Sequence, residues 1–190
     1  MDLGARAADN LRYIRETIES ARTFTAVPGW GGVGLGVIAL VASVAASRQT
    51  EPRGWMMVWL GAAALGALIG LAAVARKARR LSASLSAAPA RKFALNFAPP
   101  ILAGALITVV LARNGMYGVM PAVWLLLYGV AIVTGGAFSV PCVPVMGFCI
   151  LGFGVGAAFV PAEYGNLLLG TGFGVIQIGF GVWIAVRHGG

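Results

Sequence analysis

The 190-residue sequence has few charged residues and none inside its long apolar runs. Charged residues make up 11% of the chain and hydrophobic residues 59%, whereas a soluble domain is about one quarter charged. This composition excludes an ordinary soluble domain. The apolar runs are about 20 residues long, the length with which an α-helix crosses a bilayer. We therefore predict an all-α, polytopic membrane helical bundle with one domain.

Histidine and cysteine are nearly absent, which limits the chemistry that the chain can perform. The single histidine, His188, stands two residues from the end, and the two cysteines both lie in one apolar segment. Ion-coupled transporters and membrane enzymes usually need ionisable groups within or beside their spans, and the predicted spans contain none. We predict no catalytic residue, no cofactor and no metal site. Cys142, Met146 and Cys149 share a helical face that could bind Cu(I), but ordinary packing is the favoured interpretation.

The polar segments divide the chain into six predicted spans. Residues 1–27 form a predicted amphipathic helix and a junction, since Leu11, Ile14 and Ile18 recur at helical spacing. Residues 28–186 form the transmembrane domain, and residues 187–190 form a short tail. The predicted spans cover residues 28–46, 55–75, 93–112, 119–137, 142–160 and 167–186.

The basic residues are distributed unevenly about these spans. Six spans place both termini on one side, and eleven of the fourteen lysines and arginines fall on that side. Only Arg48, Arg53 and Arg113 fall on the other side. Because short cytoplasmic loops carry the excess of basic residues, we predict that both termini are cytoplasmic. The net charge of +8 follows from this topology, and we expect no nucleic acid partner.

Glycine is abundant, with 28 residues. Gly29, Gly31 and Gly34 match G-x-G-x-x-G, but the strand that precedes a dinucleotide-binding loop is missing here. Close helix packing in lipid is the better interpretation, since small residues four apart let helix backbones approach. The predicted packing residues are Gly32, Gly36, Gly66, Gly70, Gly152, Gly156, Gly170 and Gly174.

Three further groups of side chains are candidates for contacts. Gln177 lies midway along the sixth span, where it could contact a substrate or, as we favour, hold a helix pair by a hydrogen bond. Most tryptophans, among them Trp55, Trp59 and Trp124, fall near span ends, as interfacial anchors do. The second loop could bind anionic lipid headgroups, although its charge also serves as a topology signal. Its basic residues are Arg76, Lys77, Arg79, Arg80, Arg91 and Lys92.

Three stretches carry a family resemblance. They are "FTAVPGWGG" before the first span, "GAFSVPCVPVMGFCILG", and the closing "AVRHGG". At these residues the chain resembles a family of small, uncharacterised integral membrane proteins of bacteria. The resemblance implies six helices and a place in the bacterial inner (plasma) membrane. It implies no activity, ligand or functional residue.

The sequence leaves three functions open. The first is a non-enzymatic scaffold or sensory accessory subunit in the lipid bilayer, with a cytoplasmic or membrane protein partner. The second is a small transporter or channel for an apolar or weakly polar solute, for which a homo-oligomer is one open arrangement. A membrane enzyme is the third, and it would need reactive groups that the predicted spans lack. We favour the first.

Overall fold

A computed structural model describes residues 28–80 and 88–188 of the chain. It contains six helices that are long and apolar enough to cross a membrane, which confirms the predicted number. The predicted amphipathic helix in residues 1–27 lies outside the described residues. The helices are α1 (Gly29–Ala46), α2 (Pro52–Arg80), α3 (Ala88–Arg113), α4 (Met120–Gly136), α5 (Cys142–Phe159), α6 (Gly165–Leu169) and α7 (Gln177–His188), with a π-helix, Gly170–Ile176, between α6 and α7.

The sixth span, Ala162–Arg187, is therefore composite. A 3-10 turn, Ala162–Tyr164, leads into α6, the π-helix follows, and α7 completes the span. Another 3-10 turn, Tyr117–Val119, precedes α4. The hydropathy pattern predicts the sixth span at residues 167–186, so the structure begins it five residues earlier. The pattern gave no sign of the π-helix.

Prolines mark where several helices begin. Pro28 is the residue before α1, Pro52 is the first residue of α2, and Pro121 lies in the first turn of α4. The first turn of a helix has no partner for its N–H groups, so a proline there loses nothing. Pro99 and Pro100 differ, because α3 begins at Ala88 and both lie inside it.

The helices form a ring in the order of the chain. The first packs on the second, the third on the fourth, the fourth on the fifth, and the fifth on the π-helix; the π-helix and α7 then pack on α1 and close the ring. Helices α2 and α3 do not pack against each other along their length. We call this gap the open α2–α3 seam.

The centre of the ring is apolar and closely packed. Leu125, Ile150 and Leu169 are fully buried, and they come from α4, α5 and α6. Helices α2 and α3 expose large apolar side chains instead, such as Leu68 and Leu102, which are 66% and 68% exposed. The two helices that border the seam are thus the most peripheral, and their surface is suited to lipid.

Glycines lie where helices approach most closely. A Cβ on Gly181 would lie 2.7 Å from Val33 N and 2.9 Å from Gly29 O, both in the backbone of α1. Gly36, Gly66, Gly170 and Gly174, from the predicted set, would each bring a Cβ within 3.0 Å of a side chain on another helix. A Cβ on Gly32 would reach Gly181 Cα at 3.4 Å, and one on Gly70 would reach Leu35 at 3.8 Å.

The prediction for Gly152 and Gly156 is wrong. A Cβ on either would have nothing within 4 Å in the described part of the chain. The packing face of α5 carries Gly147 and Gly154, and a Cβ on Gly154 would lie 2.8 Å from Leu126 N. Spacing alone identifies a pair on one side of a helix, but it does not say which side meets a neighbour.

Candidate functional site

Asn166, at the start of the sixth span, joins three helices through its side-chain amide. Its Oδ1 accepts hydrogen bonds from the indole N–H groups of Trp55 and Trp59, at 3.2 and 3.0 Å. Its Nδ2 donates to the backbone oxygen of Ser43 at 2.9 Å, and the Ser43 hydroxyl donates to Asn166 O at 3.2 Å. We call Ser43, Trp55, Trp59 and Asn166 the Asn166 cluster. The cluster bonds α1, α2 and α6 together.

Trp55 extends this cluster across the open α2–α3 seam. Its ring stacks on Trp124 of α4, with the ring centroids 5.5 Å apart and the planes 1° from parallel. Trp124 in turn donates its indole N–H to Thr108 Oγ1 of α3 at 2.7 Å. Thr108 is 6% exposed, and its hydroxyl also bonds Gly104 O in its own helix. Two indoles and one hydroxyl therefore connect α2 to α3 indirectly.

The prediction that these tryptophans are interfacial anchors is wrong for Trp59. That residue is 4% exposed and lies inside the bundle. The Asn166 amide gives its N–H a partner there, which removes the cost of burying an unpaired donor.

A second polar contact, separate from the Asn166 cluster, joins Gln177, the first residue of α7, to Tyr128 of α4. Gln177 Nε2 donates to the Tyr128 hydroxyl at 3.0 Å, and that hydroxyl donates to Gln177 Oε1 at 3.3 Å. Gln177 is 5% exposed. The two side chains therefore satisfy each other and join the sixth span to the fourth.

A row of aromatic rings connects the Asn166 cluster to the pair formed by Tyr128 and Gln177. Tyr128 meets Phe173 edge to face with centroids 5.2 Å apart, and Phe173 meets Trp59 at 6.3 Å. On its other side Tyr128 meets Phe97 at 6.3 Å, and Phe97 stacks on Phe93 at 5.7 Å. These contacts fill the interior between α2 and α3 with rings. Edge-to-face pairs fix the relative orientation of the rings.

A cleft of about 450 Å³ opens between the start of α2 and the end of α3. We call it the loop cleft. Gly115 has a φ of +70°, and its N–H bonds Ala112 O while Met116 N–H bonds Leu111 O. This is the Schellman pattern that ends a helix at glycine, and it fixes Arg113 at the cleft wall. The lining residues are Glu51, Pro52, Arg53, Ala112, Arg113, Gly115 and Tyr117.

The three residues of the predicted sulfur-bearing face differ in their exposure. Cys142 and Cys149 are free and half-buried, and Met146 is packed in the core at 6% exposed. Within residues 28–80 and 88–188, no three histidine, cysteine or acidic side chains are grouped so that they could hold a metal ion.

The predicted headgroup residues are not equivalent. Arg76, Arg79, Arg91 and Lys92 are exposed, and the Lys92 ammonium lies 6.0 Å from the centre of the Phe138 ring. Lys77 is 7% exposed, so its side chain packs against the protein and does not share their surface. The side chain of Arg80 is outside the described part of the structure.

Sequence reasoning found Gln177 but missed its partner and the Asn166 cluster. A lone amide in an apolar run is conspicuous, whereas Tyr128 is one of many aromatic residues. Asn166 follows Glu163 and Tyr164 in the polar segment before the sixth predicted span, and such a segment is typical of a turn. Its position directly before the sixth apolar run, together with Ser43 and two tryptophans near the ends of other spans, was the available signal.

The fold and these contacts define a class, a multi-pass integral membrane protein built from six helices. Comparison with family models, with curated proteins and with solved structures gives no match.

Proposed function

We propose that the chain is a non-enzymatic scaffold or sensory accessory subunit of a membrane. The observation that carries this proposal is the mutual pairing of its interior polar side chains. Asn166 is occupied by Ser43 and two indoles, and Gln177 by Tyr128. In lipid such contacts hold helices together.

The chemistry of these groups supports the proposal. They are amides, hydroxyls and indoles, and general acid–base catalysis at neutral pH uses groups that titrate near it. Every buried side-chain nitrogen or oxygen in the described residues has a hydrogen-bond partner. A group that must bind or activate a substrate would instead have to give up a bond inside the bundle.

We also propose a bacterial inner membrane as the location, with both termini in the cytoplasm. The distribution of charge supports the orientation. Arg76, Arg79, Arg91 and Lys92 lie near the ends of α2 and α3 that face the second loop, while Arg53 and Arg113 lie at their other ends. A reporter fused to the C-terminus should be active only in its cytoplasmic form. Activity of a periplasmic reporter there would reverse the proposed orientation.

Native mass spectrometry of the chain, extracted from its own membrane in mild detergent, tests the accessory role. We expect a mass that includes a second protein, and loss of that protein when residues 1–22 are deleted. A chain that is recovered without a protein partner, and whose deletion variant behaves identically, would contradict the proposal.

One observation favours a second candidate, a small transporter or channel. The π-helix, Gly170–Ile176, ends directly before Gln177, and π-helical segments recur at functional sites because they reposition the following side chains. A transport cycle would have to expose Gln177 to water.

Cysteine accessibility separates the two candidates. In a chain whose native cysteines are replaced by alanine, Gln177→Cys should resist a water-soluble thiol reagent if the bundle is a static scaffold. Gly118→Cys, at an exposed turn, is the positive control. Rapid labelling at position 177 would favour transport.

A further inference from the structure

The loop cleft lies where the second candidate span begins and the third ends. Pro52 is the first residue of the second span and Arg113 the last residue of the third, and both line the cleft. Tyr117, also a lining residue, is half-buried, and tyrosines favour the boundary between hydrocarbon and headgroups. The volume of about 450 Å³ is within the range of small-molecule sites. A ligand there would meet the bilayer surface on one side.

The charges of the cleft are mixed. Arg53 and Arg113 stand on opposite walls, one at the start of α2 and one at the end of α3, and Glu51 is beside Arg53. All three side chains are exposed. Arginine recognises phosphate by paired N–H donors, and the unpaired N–H groups at the start of α2 add a partial positive charge. The Glu51 carboxylate, so close to these donors, repels a simple anion and attracts a cation.

The open α2–α3 seam continues from the cleft into the membrane. The stacked rings of Trp55 and Trp124 lie on the core side of this end of the seam. The outer surfaces of both helices are apolar, and Met57 of α2 and Leu106 of α3 are 62% and 68% exposed. A ligand that enters the cleft from the bilayer can therefore leave a hydrocarbon chain against the protein.

We propose that the loop cleft binds an aminophospholipid, a lipid whose headgroup carries a phosphodiester and a primary ammonium. Arg53 and Arg113 bind the phosphodiester, and Glu51 accepts hydrogen bonds from the ammonium. An acyl chain lies along the seam. The proposal does not rest on the accessory role, since either candidate function could include a bound lipid.

Competition between lipids with identical acyl chains tests this site. The purified full chain is mixed in mild detergent with equal amounts of phosphatidylethanolamine, phosphatidylcholine and phosphatidylglycerol, and bound lipid is counted by native mass spectrometry. We expect phosphatidylethanolamine to exceed each competitor by about three-fold or more, an effect typical of one exposed charge pair. Phosphatidylcholine keeps the phosphate but has no N–H to donate.

Variants assign the two halves of the headgroup. Glu51→Gln should abolish the preference for phosphatidylethanolamine over phosphatidylcholine while binding of both continues. The double variant Arg53→Gln, Arg113→Gln should lower the binding of both lipids. Arg48→Gln is the matched control, because Arg48 is exposed on the same loop but does not line the cleft. It should leave binding unchanged.

Three results would overturn the proposal. Equal binding of the three lipids would remove the headgroup site. A preference for phosphatidylglycerol would show recognition of net negative charge alone. Displacement of the lipid by soluble glycerophosphoethanolamine at equal concentration would show that the seam holds no acyl chain. Thermal unfolding of each variant confirms that it is folded, and Glu51→Gln, a change at one exposed side chain, tests the site even if the double variant is unstable.

Discussion

At the scale of single residues, Asn166 is the side chain on which the most helices depend. One amide accepts from two indoles and donates to the backbone of a third helix. Removing such an acceptor leaves both indole N–H groups unpaired in an apolar region, and an unpaired buried donor costs more than the bond itself contributed. Asn166 therefore contributes more to the stability of the bundle than its half-buried position suggests.

We expect Asn166→Ala to lower the free energy of unfolding by about 2 kcal/mol. Chemical unfolding in mixed micelles, followed by tryptophan fluorescence, measures the change. Asn114→Ala is the control, because Asn114 is exposed, directly follows α3 and bonds Val110 O in the last turn of that helix. Equal effects of the two substitutions would mean that the Asn166 cluster does not join the helices.

Tyr128 and Gln177 allow a double-mutant cycle. Tyr128→Phe and Gln177→Leu should each destabilise the bundle by about 1 kcal/mol, since each leaves a buried partner unsatisfied. The double variant should be no less stable than either single variant, because it removes both polar groups. Additive losses in the same unfolding assay would show that the two side chains act independently.

The residue scale also shows the limits of prediction from the sequence. Gln177 could be singled out because an amide in an apolar run needs a partner. The sequence contains nothing that specifies Tyr128 as that partner, since they are 49 positions apart and meet only after two helices pack. The same holds for Asn166, whose three partners come from two earlier helices.

At the scale of helices, close approach depends on individual glycines. Gly179 and Gly181 lie two residues apart in α7 and face different surroundings. A Cβ on Gly181 would meet the backbone of α1, whereas one on Gly179 would have nothing within 4 Å in the described structure. Backbone atoms cannot move aside as a side chain can.

Gly181→Ala should therefore separate the sixth span from the first and lower the thermal midpoint clearly. Gly179→Ala should leave the midpoint unchanged or raise it, since alanine favours the helical state by about 1 kcal/mol relative to glycine. Differential scanning calorimetry or a fluorescence-based melt in detergent compares the two. A larger loss for Gly179→Ala would contradict the packing of α7 on α1.

The number of spans was the most predictable feature at this scale, whereas α2 and α3 extend beyond their predicted spans, to Pro52–Arg80 and Ala88–Arg113. The length of an apolar run is set by the thickness of the bilayer, so the six runs could be counted directly. The side of each helix that packs against a neighbour was less predictable. Gly152 and Gly156 have the spacing of a packing pair but lie away from the contacts of α5, and the π-helix arises from pairing of backbone groups that hydropathy does not report.

At the scale of the whole molecule, the ring places two distant turns beside each other. A Cβ on Gly118 would lie 3.1 Å from Ala162 Cβ, a separation that a small backbone shift brings into the range of a disulfide. Gly118 precedes α4 and Ala162 precedes α6, so their contact depends on the arrangement of the fourth, fifth and sixth spans.

In a chain whose two native cysteines are replaced by alanine, the pair Gly118→Cys and Ala162→Cys should form a disulfide on mild oxidation. Both positions are exposed, so an oxidant can reach them. Loss of two free thiols, counted by mass spectrometry after alkylation, measures the bond. Single-cysteine variants provide the control, and two thiols that remain alkylated in the double variant would contradict the ring.

The sequence predicted the number of spans but not which spans are neighbours. Charge asymmetry and the number of spans are properties of single helices and loops. Neither shows which helix surfaces fit against each other. The open α2–α3 seam follows from the side chains that fill the interior between these helices, in particular Tyr128 and Phe173. Such a gap depends on the shape of the packed core.

The closure of the ring by its last span has a consequence for synthesis at the ribosome. Most helix pairs form between consecutive spans, but the Asn166 cluster needs the first two spans and the sixth. While the chain is being made, Trp55 and Trp59 enter the bilayer long before Asn166 exists. A nascent chain of five spans thus carries two indole N–H groups without their final acceptor. Arrival of the sixth span supplies that acceptor, so the hydrogen bonds of the first two spans are complete only after the sixth span has been inserted.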